Sequence, residues 1–162
     1  MAEKEKLTLA VLSGDMERTL AAFMLAVTGA SMGMEVSMFF TFWGLNIIKK
    51  NDGGLKSKGL MRKMLNLINR GGSKRIKLSK FNMFGLGTWM MKRLMKQTNM
   101  PSIDEYITMA SDMGVNFIAC TTTCGVMGIT PRLDTFRSEV KTLAGATYFL
   151  GEARKSTVTL FI

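Results

Sequence analysis

The sequence predicts an α/β fold: a three-layer α/β/α domain with a mainly parallel sheet of about five strands and a helical basic insertion. Three observations carry that prediction. Short, almost continuously apolar runs alternate with helical patterns, which is the arrangement of a parallel sheet covered on both faces. The chain has 162 residues, the size of one ordinary domain, so residues 1–162 read as a single domain. One stretch, about residues 49–100, breaks the alternation and differs sharply in charge and composition.

Leu7 to Leu12 is an apolar run stopped by Ser13-Gly14-Asp15, and reads as the first strand. Met16 to Ser31 reads as a helix whose Leu20, Phe23, Met24 and Val27 fall at helical spacing, with Gly29 and Gly33 at its end. Glu35 to Phe40 reads as strand two, which makes a strand–helix–strand unit of the right-handed kind. Thr41-Phe42-Trp43-Gly44-Leu45 follows as a loop. In the insertion, Asn51-Asp52-Gly53-Gly54 and Arg70-Gly71-Gly72-Ser73 are turn signals. Leu60 to Ile68 between them has helical periodicity, and Met83 to Met95 is a second stretch rich in methionine. Such a length is unusual for a crossover, so it reads as a helical flap inserted on the core.

Ser102-Ile103-Asp104-Glu105 after Pro101 is a capping box, starting a helix that runs to about Asp112 and ends at Gly114. Val115 to Cys120 reads as strand three, Leu133 to Ser138 as a short helix and Glu139-Val140-Lys141 as a short strand. Thr142 to Lys155 reads as a helix, and Thr157 to Ile162 as the last strand.

Composition narrows the chemistry. There is no histidine, which excludes Ser-His-Asp and Cys-His catalysis and any zinc site built on imidazole. The two cysteines, Cys120 and Cys124, are too few and too close for a secreted disulfide scaffold and make a poor zinc site, so no metal and no cofactor is expected. No apolar run reaches the roughly 18–20 residues of a membrane span, and the mixed-charge start does not read as a signal peptide, so a soluble cytoplasmic protein is expected. The formal charge is +10. Residues 49–100 carry fourteen Lys and Arg against Asp52 alone, while the rest is net acidic. That asymmetry fits an acidic protein surface, a phosphate-bearing ligand or a membrane face. Nucleic acid is disfavoured, because no aromatic stacking positions lie among the charges. The exposed cost of a stretch rich in Met and Trp also points to a homo-oligomer.

Ligands of parallel sheets bind beyond the carboxyl ends of the strands. Three loops end there: Ser13-Gly14-Asp15, Thr41-Phe42-Trp43-Gly44, and Cys120-Thr121-Thr122-Thr123-Cys124-Gly125. If they converge on one pocket, Cys120 lies above the sheet. A following helix then favours its thiolate, and Thr121, Thr122 and Thr123 offer hydrogen bonds. The alternative is that Cys120 is a small buried hydrophobe. Cys124 has apolar neighbours and the wrong spacing for a redox Cys-x-x-Cys, and Ser13-Gly14-Asp15 has the composition of an ordinary helix cap.

The Ser13-Gly14-Asp15 turn with its Ala- and Met-rich helix, the stretch Met38-Phe39-Phe40-Thr41-Phe42-Trp43-Gly44-Leu45, Phe117-Ile118-Ala119-Cys120, Val126-Met127-Gly128-Ile129 and Val158 to Ile162 together resemble the DsrE/DsrF/DsrH-like family, in its peroxiredoxin-like, DsrE-type subgroup. The resemblance covers essentially the whole chain. It implies a five-stranded α/β/α domain that forms oligomers. It also implies a sulfurtransferase or sulfur carrier that binds sulfane sulfur as a persulfide or thiosulfonate and relays it among rhodanese-like and TusA-like partners. The family cysteine credited with that role matches Cys120. Many relatives have Ser-Met-Asp where this chain has Thr123-Cys124-Gly125, so an acid is lost and an auxiliary thiol, Cys124, is gained. A non-catalytic module docking an acidic partner or membrane surface through the basic insertion is the other function the residues allow, and dithiol redox chemistry is a third.

Overall fold

The computed structural model describes residues 5–50, 59–61, 63–64 and 70–162. Five strands, β1 (Lys6–Val11), β2 (Glu35–Phe40), β3 (Asn116–Cys120), β4 (Val140–Ala144) and β5 (Val158–Phe161), form one sheet in the order β4-β3-β2-β1-β5, and every neighbouring pair is parallel. The predicted architecture is therefore the observed one.

Alternation along the strands divides the core in two. Leu7, Leu9 and Val11 of β1 point to the face covered by α1 (Met16–Ser31) and α4 (Ile103–Asp112), where Phe23, Phe40 and Phe117 meet at centroid distances of 5.8–6.2 Å. Ala10, Phe39, Ile118 and Cys120 point to the opposite face, under Phe149 of α6 (Ala146–Arg154). The handedness rule explains the split. Steps from β1 through β4 travel one way across the sheet, and the return from β4 to β5 travels the other way, so right-handed crossovers must use opposite faces. The loops leaving β3 and β4 consequently diverge, and Cys120 pairs with Ala144 at that divergence.

The expected helix over Met16 to Ser31 and strand over Glu35 to Phe40 have those bounds. Met24, however, is exposed, because the buried stripe of α1 runs through Met16, Leu20, Phe23 and Ala26. The capping box holds: the Ser102 N–H donates to Glu105 Oε2 at 2.7 Å and the Glu105 N–H to Ser102 Oγ at 3.3 Å. Four expectations need correction, the first being the short helix over Leu133 to Ser138, of which only Leu133–Thr135 is helical, as a 3₁₀ turn that ends where Phe136 turns extended into the core. Thr142 to Ala144 is strand, not helix, because Thr142, Leu143 and Ala144 pair with Ile118, Ala119 and Cys120, and that pairing overrides local propensity. The loop expected at Cys120 to Gly125 is instead the short helix α5 (Thr121–Val126). The loop after β2 is a 3₁₀ turn, Phe42–Gly44, that runs into α2 (Leu45–Ile48).

Asn51 to Gly54, and Arg62 and residues 65–68 of the expected Leu60 to Ile68 helix, lie outside the described residues; Leu60, Met61, Lys63 and Met64 are helical and exposed. Later in the basic stretch come 3₁₀ turns at Ser73–Arg75 and Met83–Gly85 and the helix α3 (Leu86–Gln97). Part of this stretch is structural: Ile76 and Met95 join the main core, and the Met16 N–H donates to the Lys77 carbonyl at 2.9 Å.

A charged clamp fastens it further. Arg137 Nη1 lies 2.6 Å from Asp104 Oδ1 and Nη2 lies 2.9 Å from Glu139 Oε1, while Ser73 Oγ donates to Asp104 Oδ1 at 2.6 Å. Burial pushes Asp104 and Glu139 up, but these hydrogen bonds and the guanidinium outweigh it, so both titrate below their ordinary 3.8 and 4.5. Carboxylates depressed in the fold stabilise it fully above their unfolded values and lose that contribution as pH falls through the folded ones. Arg137→Met is expected to cost about 2–3 kcal/mol, below the range for fully buried pairs because the clamp is partly solvated. Urea melts at neutral pH and below pH 4 test this. The gap between variant and wild type narrows in acid.

Candidate functional site

Cys120 ends β3 and is the N-cap residue of α5, so its sulfur sits where strand gives way to helix. Thr123 is the hub of its surroundings. The Thr123 hydroxyl lies 3.1 Å from Thr41 Oγ1, accepts the Phe42 N–H at 3.3 Å and reaches the Cys120 carbonyl at 3.5 Å. Burial pushes the Cys120 thiol up. Hydrogen bonds from the Thr123 hydroxyl and N–H, the Thr41 hydroxyl and the Thr122 N–H outweigh that, and hold it below its ordinary 9.0. A thiolate is the nucleophilic form of the group, so this cradle favours the reactive state without any histidine.

The thiol is not open to solvent. Cys120 is 3% exposed, packed with Ala10, Phe39, Ile118 and Phe149. Its cover is thin, since Thr122 is exposed and Thr121 half-buried, and the β4–α6 turn at Gly145 abuts both threonines. Cys124 differs. It is fully buried in the main core on the other face of the sheet, and burial, followed by the charge of Cys120, pushes its thiol up to about 12. Both thiols are free. An arrangement with one low and one high thiol favours single-thiol chemistry at Cys120 over a dithiol pair.

The three loops touch one another. The Gly14 α-carbon approaches so closely that a β-carbon there would stand 2.7 Å from the Trp43 carbonyl oxygen, and one on Gly44 would stand 2.1 Å from that of Val11. These contacts lock the turn after β2, in which Phe42 adopts φ 47°, a left-handed conformation rare for a bulky residue. The Phe42 N–H thereby reaches Thr123, one residue from Trp43. Ser13, Gly14, Asp15 and Trp43 line a neighbouring cleft of about 1030 Å³. Ser13 Oγ donates to Asp15 Oδ2 at 2.7 Å and accepts the Asp15 N–H at 3.1 Å, closing a local turn; Asp15 stands at the N-cap position of α1, but its side chain accepts no helix N–H. Cys120, Phe42, Thr121, Thr122, Thr123 and Gly125 do not line that cleft, and Gly125 is an exposed residue with open space where a side chain would stand.

One residue's role and one juxtaposition escaped the sequence reading. Thr41 contributes a hydroxyl to the cradle from the last position before the turn, where the fold buries it. The basic stretch was legible as a charged segment, but not the cleft in which its Arg70, Lys74, Arg75, Lys77 and Lys92 meet Arg18 around the single acid Asp15. Among the described residues no group of three or more Cys, Asp or Glu side chains is placed to hold a metal ion. No helix among them is long and apolar enough to cross a membrane.

The chain belongs to the DsrE/DsrF/DrsH-like family, whose sequence model matches residues 3–161. It is 35% identical over 165 residues to the uncharacterized protein YrkE of Bacillus subtilis, with 100% of both chains covered. It is 30% identical over 169 residues to the sulfur carrier protein DsrE2 of Allochromatium vinosum, with 99% of both chains covered.

Proposed function

We propose that the protein accepts sulfane sulfur on Cys120, holds it as a persulfide or thiosulfonate, and relays it to a partner thiol. The observation that carries the proposal is the threonine cradle that keeps one thiol of the pair below its ordinary pKa. The DsrE2 relative, a sulfur carrier by name, supports the choice of sulfur as cargo.

In the proposed chemistry the Cys120 thiolate attacks the outer sulfur of thiosulfate. An S–S bond forms at Cys120, the sulfane–sulfonate S–S bond breaks, and sulfite leaves with the electron pair. With tetrathionate the leaving group is thiosulfate, and a thiosulfonate remains on Cys120. Attack by an acceptor thiolate on the outer sulfur of the persulfide then moves one sulfur atom and returns the Cys120 thiolate. The thiosulfate cycle consumes no net oxidant or reductant, whereas in the tetrathionate reaction the S–S bond of tetrathionate is itself the oxidant. Thr41 and Thr123 stabilise the thiolate that begins and ends the cycle, and Thr121 and Thr122 form the cover that must part for donor and acceptor. The proposed setting is the cytoplasm, with rhodanese-like and TusA-like proteins as donor and acceptor and the chain as a homo-oligomer and one domain over 1–162, in which 49–100 is the insertion.

Intact-mass and peptide-resolved spectrometry after exposure to thiosulfate, tetrathionate or polysulfide tests the reading. The expected result is an adduct on Cys120, removed by dithiothreitol. No adduct, or one confined to Cys124, would overturn it.

A second reading is favoured by the cluster of six cations in the cleft: a docking module for an acidic partner or membrane surface. It expects partner binding to survive Cys120→Ser and to disappear when Lys74, Arg75 and Lys77 are changed to Glu.

A further inference from the structure

The segment from Phe81 to Leu94 presents its largest apolar side chains outward. Phe81 is 83% exposed, Phe84 wholly so, and Met83, Leu86, Trp89, Met90 and Leu94 are each at least half exposed. A soluble surface seldom leaves so many neighbouring apolar groups in water.

The ridge is built into the fold. Phe81, Met83 and Phe84 take positive φ of 56°, 41° and 57°, which bulky residues adopt only where surrounding contacts impose it. Those contacts are present. Thr88 Oγ1 donates to Asn82 Oδ1 at 2.7 Å and accepts the Leu78 N–H at 3.1 Å. The Gly85 N–H donates to the Asn82 carbonyl at 2.7 Å, and a β-carbon on Gly87 would overlap the Phe81 carbonyl. Ser79 is hydrogen-bonded to Glu17 of α1, so the turn is fastened to the body of the domain. The strained turn thus holds Phe81, Met83 and Phe84 away from the core.

Helix α3 joins this ridge to the cationic cleft. Gly85, Thr88 and Lys92, at helical spacing, face the cleft with Arg18, Arg70, Lys74, Arg75 and Lys77. Leu86, Trp89, Met90 and Leu94 lie on the outward side, where the Arg93 guanidinium stands 5.6 Å from the Trp89 ring centre. Between Asp52 and Asp104 the sequence has no acid at all.

From this pairing of an aromatic and Met-rich ridge with a cationic cleft, we infer that the protein docks on an anionic phospholipid surface. The ridge lies at the boundary between headgroups and acyl chains, and the cleft faces the headgroup phosphates. An interfacial helix has this composition, with Trp, Phe and Leu on one side and Lys and Arg on the other. A second copy of the chain is disfavoured on charge, because two such segments face to face bring like charges together. The inference deepens the membrane form of the docking reading and is independent of Cys120.

Flotation of the full-length protein with vesicles of phosphatidylcholine alone, or with phosphatidylglycerol added, tests it. Wild type is expected to float with the anionic vesicles, to stay behind with the neutral ones, and to remain bound when free glycerol phosphate is added. Two variants change exposed residues only: Phe81→Ser/Phe84→Ser/Trp89→Ser, and Lys74→Glu/Lys77→Glu/Lys92→Glu. Each is expected to lower partitioning about tenfold or more with an unchanged thermal midpoint and an unchanged sulfur adduct on Cys120. Absence of flotation would overturn the inference, as would equal binding to neutral vesicles or full retention by the apolar-ridge variant. Release by glycerol phosphate would reassign the cleft to a free anion. A dimer in vesicle-free solution that the ridge variant dissolves would assign the ridge to a second copy.

Discussion

Cys120→Ser is expected to fold normally and to hold no sulfur. The serine oxygen occupies nearly the same place, and the Thr41 and Thr123 hydroxyls remain to bond it, so the melting midpoint stays within a few degrees of wild type, on the order of 1 kcal/mol. Reactivity is another matter. A hydroxyl needs a general base before it attacks sulfur, and the chain contains no histidine to serve as one. Loading measured by intact mass should therefore fall by about three orders of magnitude or more, to the limit of detection. Cys124→Ser gives the contrast. Its thiol is buried in the main core and held up to about 12, so its loss costs stability and leaves loading on Cys120 intact.

Thr123→Val carries the second large effect, because one hydroxyl serves several groups. Valine preserves the shape but removes the acceptor of the Phe42 N–H, the partner of the Thr41 hydroxyl and the hydroxyl that does most to hold the Cys120 thiol down. Burial, which pushes the thiol up, is left with less opposition. The Cys120 pKa moves toward or above its ordinary 9.0, and each unit of that rise lowers the thiolate fraction near neutrality about tenfold. The pH dependence of loading reads this directly. Wild type reaches its plateau below the range of a free thiol, and the variant reaches it above wild type. Loss of the partly buried Phe42 N–H acceptor also costs about 1 kcal/mol, so the variant melts somewhat earlier. Thr123→Ser restores the hydroxyl and should recover the wild-type midpoint of the pH profile.

The parts of the fold that were legible have strong one-dimensional signals. β1 is a largely apolar run, β2 alternates and then turns apolar, α4 opens on a full capping box, and α1 has a long Ala-rich pattern. The parts that were not legible depend on partners distant in sequence. Thr142-Leu143-Ala144 becomes strand because β3 lies beside it, and α6 can start only after Gly145. Thr121, Thr122 and Thr123 are poor helix formers, yet α5 forms where Cys124 enters the main core and Thr123 bonds Thr41.

The candidate site divides in the same way. Cys120 at the end of a strand was readable from the run before it, and so was the turn at Ser13, Gly14 and Asp15 that leads into α1. The left-handed Phe42, the contribution of Thr41, and the separation of Trp43 into a cationic cleft are consequences of close backbone approaches at Gly14 and Gly44. No pattern in the chain announces such contacts.

The most direct test is competitive alkylation of the native protein with a small iodoacetamide reagent across a pH series, resolved peptide by peptide. The account predicts that Cys120 is modified with a midpoint below 9.0, while Cys124 stays protected until the protein is unfolded. Protection of both thiols in the native state, or modification of Cys124 ahead of Cys120, would contradict it.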